Sequence, residues 1–217
     1  MNRRLREGRP QGSGNVAVTE VSYRYRLADA DRALDDLTAL YERREHLQYA
    51  GEPVTQLMHA WQCLLCGQRE GAGPSMLLAA FFHDVGHLLQ ADDPSPTLAG
   101  IDDRHEKVGA ALLVRVFGRS VSLPVALHVD AKRFLVSTDP GYMARLSEDS
   151  VRSLKLQGGA MTEAEQSSFM ENAWHEDAIR LRKWDEEAKE ACREAPSFSS
   201  IKATLLICAD GLRASAA

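Results

Sequence analysis

Apolar residues along the chain recur mostly at intervals of three and four, the period of an amphipathic helix. Leu34, Leu37, Leu40 and Tyr41 share one face of a first helix that opens near residue 28. After a loop punctuated by Gly51 and Pro53, a second stripe runs through Val54, Leu57, Met58, Trp61, Leu64 and Leu65. Pro74 suits the first turn of a third helix. The run from Ser75 to Gln90 is apolar almost all round, so it is expected to be one central, buried helix. Residues 91–104, rich in Asp and Pro, read as a long loop. Helices are then expected from His105 to a stop at Gly118, through 123–136 with Pro124 at the opening, and from a Ser147 cap to Gly158–Gly159. Thr162 and Glu165 form a capping box for a helical region reaching about residue 194, broken near Asn172–His175. Residues 16–27 alternate weakly and permit a short extended piece. No alternation of strands with helices is visible, so the predicted class is all-α.

A length of 217 residues is enough for one domain with a real core. Residues 1–27 are expected to be an N-terminal extension, partly disordered, and 28–195 the folded domain. Residues 196–217 form a C-terminal segment apolar enough to dock, without evident site residues. The net charge of -5 argues against non-specific binding to nucleic acid or to an acidic membrane. No apolar run approaches the roughly 20 residues that span a bilayer, and the basic N-terminus lacks a following apolar stretch, so a cytoplasmic location is expected. Cys63 and Cys66 form a C-x-x-C inside an amphipathic helix with no second pair near it, and are read as small core residues.

The chemistry starts at His83–Asp84, set within the apolar run. A buried, unpaired carboxylate costs several kcal/mol and requires a partner. Taken alone, the pair fits either a metal site or a buried hydrogen-bonded pair that shapes the core. His59, His83, His105 and His128, however, fall on separate predicted helices about 22–24 residues apart. One helix plus one connection is about that long, so successive antiparallel helices could present them at similar depth. Imidazole with carboxylate suits iron, zinc, manganese or nickel. Asp185, after Trp184 on an apolar-faced helix, is the best late carboxylate, and the further histidines allow a second ion with Asp84 as the bridge. His87, Lys132 and Arg182 lie one helical turn from His83, His128 and Asp185, so each shares a face with a candidate ligand. Cations beside a metal suit a dianionic ligand.

The ordered segments Y-x-G-E-x-x-x-Q-L-x-H at 49–59, H-D-x-G-H at 83–87, H-E-K-V-G-A at 105–110 and H-V-x-A-K-R-x-L-V-S at 128–137 resemble the HD superfamily. With L-S-x-x-S at 146–150, Q-G-G-x-M at 157–161 and R-x-W-D-E at 182–186, the chain is similar to its mixed-valent di-iron oxygenases of phosphonate breakdown. The resemblance covers about residues 47–190 and implies an HD-domain helical bundle holding two iron ions, Fe(II)/Fe(III). The implied ligands are His59, His83, Asp84, His105, His128 and Asp185, with Asp84 bridging. It also implies roles for Tyr49, which leaves an iron when substrate binds, and for Glu52, which faces the substrate's amino end. His87, Lys132, Ser150 and Arg182 would meet the phosphonate.

The implied reaction is cleavage of a C–P bond with O2, giving phosphate and a carboxylic acid. The implied substrates are 1-hydroxy-2-aminoethylphosphonate, giving glycine, and its N-trimethyl analogue, giving glycine betaine. A trimethylammonium group favours aromatic faces, for which Trp61, Phe134, Tyr142, Phe169 and Trp174 are candidates. Two alternatives share the ligand set: a metal-dependent phosphohydrolase of the wider superfamily and a non-catalytic sensor of a metal or phosphonate. Oligomeric state is not indicated by the sequence.

Overall fold

The computed structural model describes residues 30–44, 46–49, 53–90, 96–191 and 196–216. The N-terminal extension and the extended piece expected at 16–27 lie outside them. Ten α-helices and no strand occur among the described residues: α1 (Ala30–Arg43), α2 (Gln56–Arg69), α3 (Pro74–Phe82), α4 (Val85–Leu89), α5 (His105–Phe117), α6 (Arg119–Thr138), α7 (Glu148–Leu156), α8 (Glu163–Met170), α9 (His175–Glu187) and α10 (Phe198–Ala216). Short 3-10 turns span Pro96–Ala99 and Met143–Arg145. The class is all-α, as the periodicity predicts.

α6 packs against α5 and α9, and α2 against α3 and α9, which encloses one main core. Its largest buried side chains include Tyr41, Phe81, Phe82 and Trp184. The Tyr41 hydroxyl donates to the Phe81 carbonyl at 3.2 Å, so its polar end is satisfied inside the core. α10 docks on α3 and α1 through Ile201, Leu205 and Cys208. Local chemistry sets several ends as expected. Pro74 opens α3, Ser147 caps α7, and Thr162 with Glu165 forms the capping box of α8. Gly158 and Gly159 end α7 at positive φ, 101° and 72°. An isolated bridge between Gln48 and Thr55 folds the loop carrying Tyr49 back onto the start of α2.

Three expectations are corrected. The run 75–90 is two helices, because the chain leaves the helix at His83–Asp84. His83 Nδ1 donates to the Ala80 carbonyl at 2.9 Å, so a side chain takes part of the acceptor capacity that a continuing helix would use. The break also lets α4 meet α5 at Gly86, where an added Cβ would lie 2.0 Å from the His105 carbonyl oxygen. α6 begins at Arg119 rather than at Pro124, which sits inside it. Burial of Val121 outweighs the hydrogen bond that proline cannot make. α9 ends at Glu187 rather than near 194. The chain beyond it is held by α2: Gln62 donates to the Glu190 carbonyl at 2.7 Å and accepts from its amide at 3.1 Å.

Candidate metal centre

Six polar side chains from four helices and one helix break converge at the middle of this bundle. His59 comes from α2, His83 and Asp84 from the break between α3 and α4, His105 from the first position of α5, His128 from α6 and Asp185 from α9. None is more than 8% exposed. His59 Nε2 lies 3.2 Å from His83 Nε2 and 3.3 Å from Asp185 Oδ1. Asp84 Oδ2 is 3.2 Å from His83 Nε2 and 3.7 Å from His59 Nε2. The other oxygen, Oδ1, is 3.4 Å from His105 Nε2 and 3.7 Å from His128 Nε2, and these two nitrogens are 3.2 Å apart. One carboxylate thus presents each of its oxygens to a different pair of imidazoles.

The hydrogen bonds on the far side of each ring decide what the near side offers. Nδ1 of His59, His83 and His128 faces the carbonyls of Ala188, Ala80 and Val125 at 2.8, 2.9 and 2.7 Å. A carbonyl only accepts, so each Nδ1 carries the proton and, in the neutral ring, Nε2 carries a lone pair. His105 Nδ1 faces Asp103 Oδ1 at 3.0 Å to the same effect. Lone pairs 3.2 Å apart do not satisfy one another, and Asp84 Oδ2 is buried with no hydrogen-bond partner. The donor set therefore fits metal ions, with His59, His83, Asp84 and Asp185 grouped within 4.8 Å.

The charges around the cluster agree. Burial opposes a proton on His83, and the carboxylates of Asp84 and Asp185 outweigh it, raising its pKa to about 10. Burial and the neighbouring His105 push His128 down to about 3. A bound ion would displace the His83 proton, so metal uptake weakens in acid. Burial would raise Asp185, but Arg182 holds it well below the usual carboxylate range. Arg182 Nη1 donates to Asp185 Oδ2, which leaves Oδ1 for the histidines.

A narrow cleft, partly open to solvent, reaches the cluster at Asp84, His105, His128 and Asp185. It is also lined by Tyr49, His87, Lys132, Ser150 and Arg182, so nearly every residue singled out in the sequence comes together here. Glu52 lies outside the described residues. Tyr49 stacks on His59, centroids 3.9 Å apart, and its hydroxyl donates to Asp185 Oδ1 at 3.4 Å. Lys132 is buried and donates to Ser153 Oγ at 2.8 Å; burial, then Arg182, lowers its pKa to about 7. Arg182 is buried too, donating from Nε to the Tyr142 hydroxyl at 2.8 Å and from Nη2 to Glu186.

Several lining residues carry no site signal in the sequence, among them Ser153 and Asp103. Ser153 stands nearly two turns after the Ser147 cap of α7 with nothing in its surroundings to mark it. Asp103 engages both His105 and His87, and its only sequence signal is a carboxylate two residues before a ligand candidate. Cys63 and Cys66 are free thiols. Cys63 is a buried core residue as expected, and it also abuts the cluster, with Sγ 3.9 Å from His59 Nε2. Of the aromatic candidates, Trp61 and Phe169 belong to the two cores and Tyr142 serves Arg182. Tyr49 is the one aromatic side chain besides the imidazoles in the described lining.

No family model matches the chain. It is 43% identical over 157 residues to hydroxymethylphosphonate dioxygenase of Gimesia maris, covering 70% of this chain and 78% of that protein. It is 36% identical over 160 residues to the glycine-betaine-forming [1-hydroxy-2-(trimethylamino)ethyl]phosphonate dioxygenase of Leisingera caerulea, covering 73% and 81%. An uncharacterised protein of Acanthamoeba polyphaga mimivirus is 30% identical over 152 residues, covering 69% of each.

Proposed function

The chain belongs to the phosphonate dioxygenase family, and from that premise we propose that it cleaves the C–P bond of a short 1-hydroxyphosphonate with O2 at a mixed-valent Fe(II)/Fe(III) pair. The candidate substrates are 1-hydroxy-2-aminoethylphosphonate, its N-trimethyl analogue and hydroxymethylphosphonate. They would give phosphate with glycine, glycine betaine and formate respectively. One observation carries the reading: Asp84 divides its oxygens between two imidazole pairs at the end of a cleft that also holds buried Lys132 and Arg182. The hydrolytic alternative shares the donor set but not the reaction named for these relatives.

His59, His83, Asp84 Oδ2 and Asp185 would hold one iron, and His105, His128 and Asp84 Oδ1 the other. Bound, the pair supplies activation of O2 and oxidation of the substrate carbon. The protein's part is to bind and orient. Lys132, Arg182 and Ser150 receive the phosphonate, and burial makes each charge-assisted hydrogen bond stronger than it would be in water. A dianion beside Lys132 favours its protonated form, so binding holds a proton at Nζ. His87 closes the side of the cleft next to His105. Tyr49, stacked on His59, occupies the metal side until substrate displaces it, and the family resemblance gives Glu52 the part of meeting an amino substituent.

The test is to load the protein with iron anaerobically, add each of the three hydroxyphosphonates, and then admit O2. Phosphate release that requires both iron and O2 is expected. Phosphate release before O2 is admitted overturns the reading in favour of hydrolysis.

A further inference from the structure

Asp103 lies in the connection before α5, and its carboxylate is shared between two histidines. Oδ1 accepts from His105 Nδ1 at 3.0 Å and from the His105 amide at 3.3 Å. Oδ2 pairs with His87 Nδ1 at 2.6 Å. The two imidazoles stack with centroids 3.9 Å apart and planes 20° from parallel. The backbone is arranged to keep this clamp. Gln90 Nε2 donates to the Asp103 carbonyl at 3.1 Å. Arg104, between Asp103 and His105, is in the left-handed region at φ 50°, the single non-glycine residue with positive φ among those described. That conformation costs a branched-Cβ-free but non-glycine residue roughly 1 kcal/mol and persists where its surroundings demand it.

We propose that Asp103 is a positioning residue that locks His105 and His87 into one unit. Through Oδ1 it aims His105 Nε2 at Asp84 Oδ1. Through Oδ2 it occupies His87 Nδ1, which leaves His87 Nε2 as the nitrogen turned to the phosphonate. A carboxylate behind a ligating imidazole fixes its tautomer and orientation, and losing such a partner typically weakens metal binding by about 10–100-fold. Neither partner is expendable to the other: among the described residues the Asp103 carboxylate is the ion-pair partner of His87, and behind His105 Nδ1 stands that same carboxylate where the other three histidines have a backbone carbonyl.

The inference rests on the two-metal reading above, so metal content is measured separately from turnover. Wild type, Asp103→Ala, Asp103→Asn and His87→Ala are titrated with Fe(II), and bound iron is counted per chain. Asp103→Ala should keep one tightly bound ion and bind the second about 10–100-fold more weakly. Asp103→Asn retains an oxygen for His105 but turns an amide N–H2 to His87. It should recover the second ion while its KM for hydroxyphosphonate stays raised with kcat little changed, matching His87→Ala. Two ions held at wild-type affinity in Asp103→Ala overturn the proposal, as does a wild-type KM in Asp103→Asn. A wild-type chain that binds a single ion overturns the two-metal reading itself and this proposal with it.

Discussion

His59, His83 and Asp185 meet Asp84 Oδ2 deep in the bundle, whereas His105 and His128 meet Asp84 Oδ1 at the end of the cleft. The deep half has four protein donors, and the cleft touches neither of its imidazoles. Its rings are backed by main-chain carbonyls, and its second carboxylate is backed by Arg182. The cleft half has three donors, both of its rings line the cleft, and one of them is backed by a carboxylate on a loop. The cleft thus meets the two halves differently: it reaches the second through both imidazoles, and the deep half through Asp185, against which Tyr49 and Arg182 are set.

The severest way to break this contrast is to remove what the halves share. Asp84→Ala should empty both positions and lower turnover by about 10³-fold or more, since metal-supplied stabilisation is worth several kcal/mol. Metal analysis that finds two full-occupancy ions in this variant rules out a shared carboxylate.

Lys132→Met tests the cleft alone. Loss of one charged hydrogen bond should raise KM for the phosphonate about 10–100-fold while both ions remain bound. The groups facing Lys132 are Arg182 and Lys189, which disfavour its charge, and Asp185 and Asp149, which favour it. With its pKa at about 7, the free enzyme should lose phosphonate affinity as pH rises through that value, relative to the Met variant as reference. Stability has the opposite slope. Between about 7 and the ordinary lysine range the unfolded chain binds a proton that the native chain does not, so native stability rises with pH there. Lys132→Met should thus melt a few degrees higher than wild type below about pH 7, with the gap narrowing at higher pH. Identical melting curves for both proteins across that range would refute a costly buried charge.

Gly86→Ala should sharpen the contrast with the smallest change. Its Cβ would meet the His105 carbonyl at 2.0 Å, so α4 and the start of α5 must part. A loss of about 1–3 kcal/mol in stability is expected, together with weaker binding of one ion and normal binding of the other. Equal weakening of both ions would mean that the halves are not independently built.

Much of this was legible along the chain. The histidine spacing, the apolar stripes and the caps at Ser147 and Thr162 each express a local rule, and the folded chain obeys it. Asp185 was legible because a carboxylate next to a core tryptophan needs a partner. Tyr49 and Glu52 carried no local signal; family resemblance alone pointed to them, and the structure places Tyr49 in the cleft. The break at His83–Asp84 was hidden because the apolar run continues through it unchanged. Its cause is a side chain reaching a carbonyl and a neighbouring backbone pressed against Gly86, neither of which periodicity encodes. Asp103 was hidden for the same reason: its two partners sit 16 residues back and two residues on, on different helices.

The sequence by itself determined an all-helical chain with six metal-type donors at repeating depths, because burial periodicity and donor chemistry are written residue by residue. Only the tertiary structure decided that Asp84 turns one oxygen to each pair of histidines, that the cleft reaches one pair and not the other, and that Asp103 ties His87 to His105. Those facts depend on distances between helices, and such distances are set by packing that no single segment contains.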